Sequence, residues 1–201
     1  MLFWTLNALC NAHFDSELRE LIVVARCEEF PSIREVWEQL GISVPFSVVE
    51  GGATRQDSVE QGVRAARGDY VLVHDAARPC ISSEIVARTV VAAHETGAAI
   101  AALPVSDTVK QADAAGNVAQ TLDRKLIWLA QTPQVFRRDW FLAALEQARA
   151  AGFAGTDCAS ILEHAGHDVA LVEGEVNNLK ITFAADLERA AAILAARSAR
   201  E

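Results

Sequence analysis

The chain has 201 residues, 51% of them hydrophobic and 22% charged, with a formal net charge of −9. That length allows one domain with a sizeable core, and the apolar fraction excludes an intrinsically disordered chain. The acidic balance argues against a nucleic-acid or anionic-membrane partner held by bulk electrostatics, so any anionic substrate needs its cations concentrated locally.

Strand-like and helix-like segments alternate along the chain. Residues 2–12 read as a short apolar helix and residues 20–25 (ELIVVA) as a buried strand. A helix over 32–40 follows, with Pro31 at its first turn and Gly41 past its end. Residues 46–49 form a second strand, then the loop Gly51-Gly52-Ala53-Thr54-Arg55, then a helix over 57–67. Residues 70–74 (YVLVH) are a third strand. A helix over 82–96 has Ser82 or Ser83 as cap and Gly97 as stop. Residues 98–103 make a fourth strand. The segment 105–124 breaks the rhythm: two short strand-like stretches flank a polar turn at Gly116-Asn117, the pattern of a β-hairpin arm. Helices over 139–151 and 157–165, a strand over 169–172 and a closing helix over 184–196 complete the chain. These elements predict a single α/β domain with a mostly parallel, Rossmann-like sheet, helices on both faces and a protruding arm. The near-continuous apolar strands fit a sheet covered on both faces.

The four cysteines, Cys10, Cys27, Cys80 and Cys158, show no CxxC spacing, which predicts reduced thiols rather than a metal or disulfide framework. No apolar run reaches the ~18–20 residues of a bilayer span, and the N-terminus has no secretory or transit pattern. Cytoplasm is the expected compartment.

In open α/β sheets ligands bind beyond the carboxyl ends of the strands. The third strand leads into His74-Asp75-Ala76-Ala77-Arg78-Pro79, which sets a carboxylate and a guanidinium three residues apart around two small residues. Asp75 either orients a Mg²⁺ water or substrate hydroxyl, or satisfies loop amides, and Arg78 either clamps a phosphate or pairs with Asp75. His74 reads as a buried hydrogen-bonding residue rather than a base. The paired glycines Gly51-Gly52 before a helix start offer backbone amides to a base or phosphate, but taken alone they are better explained by a tight turn capped by Asp57 or Ser58. Thr156-Asp157 reads as a helix cap.

Taken in order, GGATRQDSV, VLVHDAARP, PVSDTVK, LDR, QTPQVF, TDCAS and VEGEVNNLKIT resemble the 2-C-methyl-D-erythritol 4-phosphate cytidylyltransferases of the non-mevalonate isoprenoid pathway. The resemblance implies that the phosphate of methylerythritol phosphate attacks the α-phosphorus of CTP and that pyrophosphate leaves, with Mg²⁺ on the triphosphate and catalysis mainly by positioning and electrostatics. It implies that Arg124 and Lys180 position methylerythritol phosphate, that Asp75, Thr108 and Thr132 line its pocket with Arg78 beside them, that Gly52 and Ser58 face the cytosine, and that Ala76 lies near the ribose. No residue is directly assigned to the metal. The arm, 105–124, would reach a neighbouring subunit, so that a homodimer shares its sites.

Three departures accompany the resemblance, the smallest being Ala53, which stands where some members have Asp. Family members begin with a strand and a glycine-rich loop carrying an Arg and a Pro-Lys pair, which wraps the triphosphate. Met1-Leu2-Phe3-Trp4 aligns with the helix after that loop, so one βα unit is expected to be missing, with ladder groups left unpaired. Cys158 stands where the family commonly carries an acidic residue. Three readings follow: an active cytidylyltransferase represented by a fragment, a catalytically silent homologue that only binds or dimerises, and a cytidylyltransferase for another polyol phosphate such as ribitol phosphate.

Overall fold

The computed structural model describes residues 1–12 and 17–199. Among them the chain runs α1 (Leu2–Cys10), β1 (Leu21–Ala25), α2 (Phe30–Leu40), β2 (Phe46–Glu50), α3 (Arg55–Ala65), β3 (Tyr70–Val73), α4 (Ser83–Thr96) and β4 (Ala98–Pro104). It continues through β5 (Lys110–Ala112), β6 (Val118–Thr121), β7 (Trp128–Arg137), α5 (Arg138–Ala151), α6 (Cys158–His164), β8 (Ala170–Glu173) and α7 (Ala184–Ser198). Short 3₁₀ turns precede α2 and β7.

β1 pairs with β2 in parallel, and a second sheet has the order β3-β7-β4-β8. β7 is antiparallel to both β3 and β4, while β4 and β8 are parallel, so β3, β4 and β8 share one direction and β7 opposes them. β1 and β2 follow that common direction. Glu20, just before β1, accepts the backbone N–H of Arg67 just before β3, and Arg55, just after β2, reaches Asp75 just after β3. β5 and β6 form the expected hairpin arm, closed by hydrogen bonds between Asp113 and Asn117.

β7 is the element the sequence pattern did not yield. Gln131, Thr132, Pro133 and Gln134 interrupt its apolar character, yet Gln131, Thr132 and Gln134 are buried. Each polar side chain is satisfied by partners distant in sequence. Gln134 accepts from the Cys158 amide at 2.9 Å and donates to Asp157 at 2.9 Å. Pro133 falls where the β4–β7 register shifts, between the Ile100–Gln134 and Ala102–Ala130 pairs, so its missing N–H interrupts no regular ladder.

β7 also joins the two halves of the core. Phe136 stacks on Phe141 and packs with Leu145, Ile161 and Leu162 beneath α5 and α6, whereas its neighbour Val135 points the other way, to Ile81, Ile85 and Val86 beneath α4. Each of these large side chains, fully buried, contributes about 1.5–3 kcal/mol.

A cleft of about 660 Å³ lies between the two sheets. β1 (Leu21–Val24) and β3 (Tyr70–Val73) line it, with α1, α3 and α4 around them. Among the described residues each of these strands pairs on one edge only, β1 with β2 and β3 with β7.

Candidate active site

The carboxyl ends of β2 and β3 come together at the mouth of this cleft. After β2, Thr54 caps α3: its hydroxyl accepts from the Asp57 amide at 3.1 Å, and Asp57 accepts from the Thr54 amide in return. The cap is therefore Thr54, with Asp57 as its reciprocal partner, rather than Asp57 or Ser58. Ser58 turns inward instead, accepting from the Gly52 amide at 3.1 Å and donating to the Thr54 carbonyl at 2.9 Å. A Cβ on Gly52 would stand 2.3 Å from the Asp57 Cβ, so this loop closes on α3 only with glycine there.

After β3, Asp75 becomes the focus of three cations. The Lys180 Nζ lies 3.0 Å from its Oδ2, the Arg55 Nη2 3.5 Å from its Oδ1, and the Arg78 Nε 3.6 Å from its Oδ2. Burial acts to raise the Asp75 pKa, but the Lys180 ammonium, with Arg55 and Arg78 behind it, prevails and holds the carboxyl below its ordinary value. Three cations on one carboxylate leave two positive charges in excess in an acidic chain. The Lys180 side chain is 49% exposed, so its outer face is open to a ligand. Arg78 is half-sequestered: Nη1 donates to the Asn178 carbonyl at 2.7 Å, and Nε is buried without a hydrogen-bond partner.

His74 and Thr132 fix Asp75 from behind. Burial pushes the His74 pKa down to about 4, so the ring is neutral near pH 7. Its Nε2 lies 3.1 Å from the Arg78 carbonyl, which only accepts, so that nitrogen carries the hydrogen. Nδ1 then accepts from the Thr132 hydroxyl at 3.0 Å, and the Thr132 oxygen accepts from the Asp75 amide at 3.0 Å.

No group of three His, Cys, Asp or Glu side chains among the described residues is placed to hold a metal ion. The carboxylate in the cluster, Asp75, is already ion-paired. The donor set among the described residues therefore forms no cage for a resident cation.

Residues 1–196 match the family model for 2-C-methyl-D-erythritol 4-phosphate cytidylyltransferase. The chain belongs to that family. It is 42% identical over 184 residues to the Bacillus licheniformis protein named 2-C-methyl-D-erythritol 4-phosphate cytidylyltransferase, a match covering 91% of this chain and 79% of that one. The protein of the same name from Acidobacterium capsulatum is 43% identical over 186 residues, 90% of this chain and 78% of that one. The crystal structure of 4-diphosphocytidyl-2C-methyl-D-erythritol synthase from Anaerococcus prevotii superposes with a TM-score of 0.88 at 32% identity, over 96% of this chain and 85% of that one.

Within this cytidylyltransferase chain, Asp75, Arg78, Thr132 and Lys180 assemble into one cluster, and Gly52 and Ser58 sit in the adjoining loop. The Ala76 carbonyl accepts from Thr5 of α1 at 3.0 Å. Thr108 and Arg124 lie at the base of the arm, both exposed, with Arg124 donating to the Ser106 carbonyl and neither touching the Asp75 cluster. Thr132 stands differently from the expectation that it lines the pocket: it is buried, and its hydrogen is committed to His74, so it holds Asp75 rather than offering a donor to phosphate. Arg55 is the residue that sequence reasoning missed. It sat inside the GGATRQDSV match, but nothing in its spacing pointed across 20 positions to Asp75. Cys158, fully buried, has its thiol pushed up to about 12 by burial, which makes it a packed, unreactive group.

Proposed function

We propose that this chain carries out, or derives directly from an enzyme that carries out, cytidylyl transfer from CTP to 2-C-methyl-D-erythritol 4-phosphate, in the cytoplasm where CTP is available. The observation that carries this reading is the convergence of Lys180, Arg55 and Arg78 on Asp75 at the carboxyl end of the sheet, in a chain of this family. A phosphate oxygen of the acceptor forms a bond to the α-phosphorus of CTP, the α–β bridging bond breaks, and pyrophosphate leaves with the electron pair. Lys180, with Arg78 beside it, receives the acceptor phosphate, because a half-exposed lysine held on a largely covered carboxylate accepts a dianion without moving. Gly52 and Ser58 face the cytosine and Ala76 the ribose. Mg²⁺ enters as part of the substrate, on the triphosphate.

Thr108 and Arg124 enter the site from a second copy of the chain. That neither makes a hydrogen bond or ion pair to the Asp75 cluster within one copy supports this, as do the exposed apolar side chains near the arm's base, Leu126 at 78% and Leu129 at 58%. A homodimer with the arm exchanged covers such side chains and completes each site. In this reading the whole chain is one nucleotidyltransferase domain.

A second reading, a homologue that binds without turnover, is favoured by the open cleft between β1 and β3, over which no described segment wraps a triphosphate. Pyrophosphate release from CTP, Mg²⁺ and methylerythritol phosphate separates the two, with this chain run beside a version extended upstream by a glycine-rich loop bearing Arg and Lys. Turnover by either version supports the assignment, and turnover by the extended version alone makes the loop essential. Failure of both, with the proteins folded, refutes it.

A further inference from the structure

A fully buried polar side chain stands behind the cationic cluster with no role in the account so far. Asn178 is 0% exposed and lies two residues before Lys180, on the segment between β8 and α7. Its Nδ2 donates to the Thr132 carbonyl at 2.8 Å and to the Gln131 Oε1 at 3.2 Å, both on β7. Its backbone carbonyl accepts from the Arg78 guanidinium at 2.7 Å. A single residue therefore touches the strand that holds Asp75 through Thr132, touches Arg78, and sets the start of the backbone that delivers Lys180.

The surroundings are built for this contact. Gln131 Oε1 accepts from the Glu175 amide at 3.3 Å as well as from Asn178, and Gln131 Nε2 donates to the Glu175 carbonyl at 3.1 Å. The segment passes so close that a Cβ on Gly174 would lie 2.5 Å from Gln131 Oε1. Downstream, the Ile181 amide donates to the Ala77 carbonyl at 2.8 Å, so Lys180 is pinned between two anchors. The downstream anchor is a backbone hydrogen bond that any residue provides. The upstream one needs a short side chain that donates twice, to the Thr132 carbonyl and to Gln131 Oε1, which is Asn.

We infer that Asn178 is a positioning residue that fixes Lys180 and Arg78 against Asp75, and so sets the geometry of the phosphate-receiving face. The inference rests on the proposed cytidylyl transfer for its purpose, but the geometry can be tested without turnover. The chain has three lysines, Lys110, Lys125 and Lys180, so reductive ¹³C-methylation gives three lysine signals, and Lys180→Arg identifies the relevant one. Asp75→Asn supplies the benchmark shift for a Lys180 released from its carboxylate.

Asn178→Ala is expected to move the Lys180 signal by at least half the benchmark, in the same direction, while Lys110 and Lys125 stay in place. A Lys180 signal that stays within a line width of wild type overturns the inference. Should Asn178→Ala fail to fold by circular dichroism, Gln131→Met decides, since it removes the acceptor and leaves the volume: a displaced Lys180 signal supports the inference and an unmoved one overturns it. In whichever version of the enzyme turns over, Asn178→Ala lowers kcat/KM at least tenfold, and an unchanged value also overturns it. Absence of turnover in wild type would strike the proposed function alone, because the lysine signals would still report on the anchor.

Discussion

Acid should act on this protein through His74. The ring is buried and neutral, with Nε2–H donating to the Arg78 carbonyl and Nδ1 accepting from Thr132. Its pKa is lowered from 6.5 to about 4 by burial. The unfolded chain takes up a proton near pH 6.5, while the folded chain resists until about pH 4. Stability from this group is therefore complete above pH 6.5, falls as pH drops from 6.5 to about 4, and falls no further below that. At about 1.4 kcal/mol per pH unit, the full loss is about 3 kcal/mol. His74→Gln removes the titration while keeping a donor within reach of the Arg78 carbonyl. The variant should cost about 1 kcal/mol at pH 7, from the lost Thr132 hydrogen bond. Urea denaturation followed by circular dichroism from pH 8 to pH 4 is the assay, and the difference between the two curves isolates His74 from the carboxylates common to both. Wild type should lose about 3 kcal/mol more than the variant across that range. Parallel curves would refute the buried neutral histidine, and with it the hydrogen-bond chain that orients Asp75.

Other perturbations follow from the same geometry. Lys180→Ala, in a version that turns over, should lower the rate of cytidylyl transfer by about 10²–10³, the usual effect of losing one preorganised charge contact, and a rate within threefold of wild type would exclude Lys180 from the phosphate site. Gly52→Ala forces its Cβ onto Asp57 and should cost about 1–3 kcal/mol in denaturant titration while weakening CTP binding in calorimetry; unchanged values would mean the loop can relax away from α3. Leu126→Asp replaces an exposed apolar side chain at the arm's base with a charge and should shift sedimentation towards monomer, whereas an unaltered dimer would place the interface elsewhere.

Most elements were legible because their signals are local. Apolar runs mark β1 to β4, Ser82, one of the two serines the sequence offered, caps α4, and Gly41 and Gly97 end their helices with positive φ. β7 was not legible, because its buried glutamines and threonine look like a loop until the partners that satisfy them are known, and those partners come from residues 23 to 58 positions away. The site divides along the same line. The Asp75–Arg78 pair is a local motif and Lys180 came from the resemblance, but the Arg55 contact and the commitment of the Thr132 hydrogen depend on which strands are neighbours. The cleft between β1 and β3 depends on which strands pair, so its volume and lining come from the structure alone.

The most direct test of the cationic cluster is ³¹P NMR of methylerythritol phosphate titrated with this chain, since phosphate binding there does not require the triphosphate to be held. The account predicts a shifted or broadened phosphorus signal with wild type and a free-ligand signal with Lys180→Ala. An unperturbed signal with folded wild-type protein, or equal perturbation by both, would contradict the claim that Lys180, Arg55 and Arg78 gather around Asp75 to receive the acceptor phosphate.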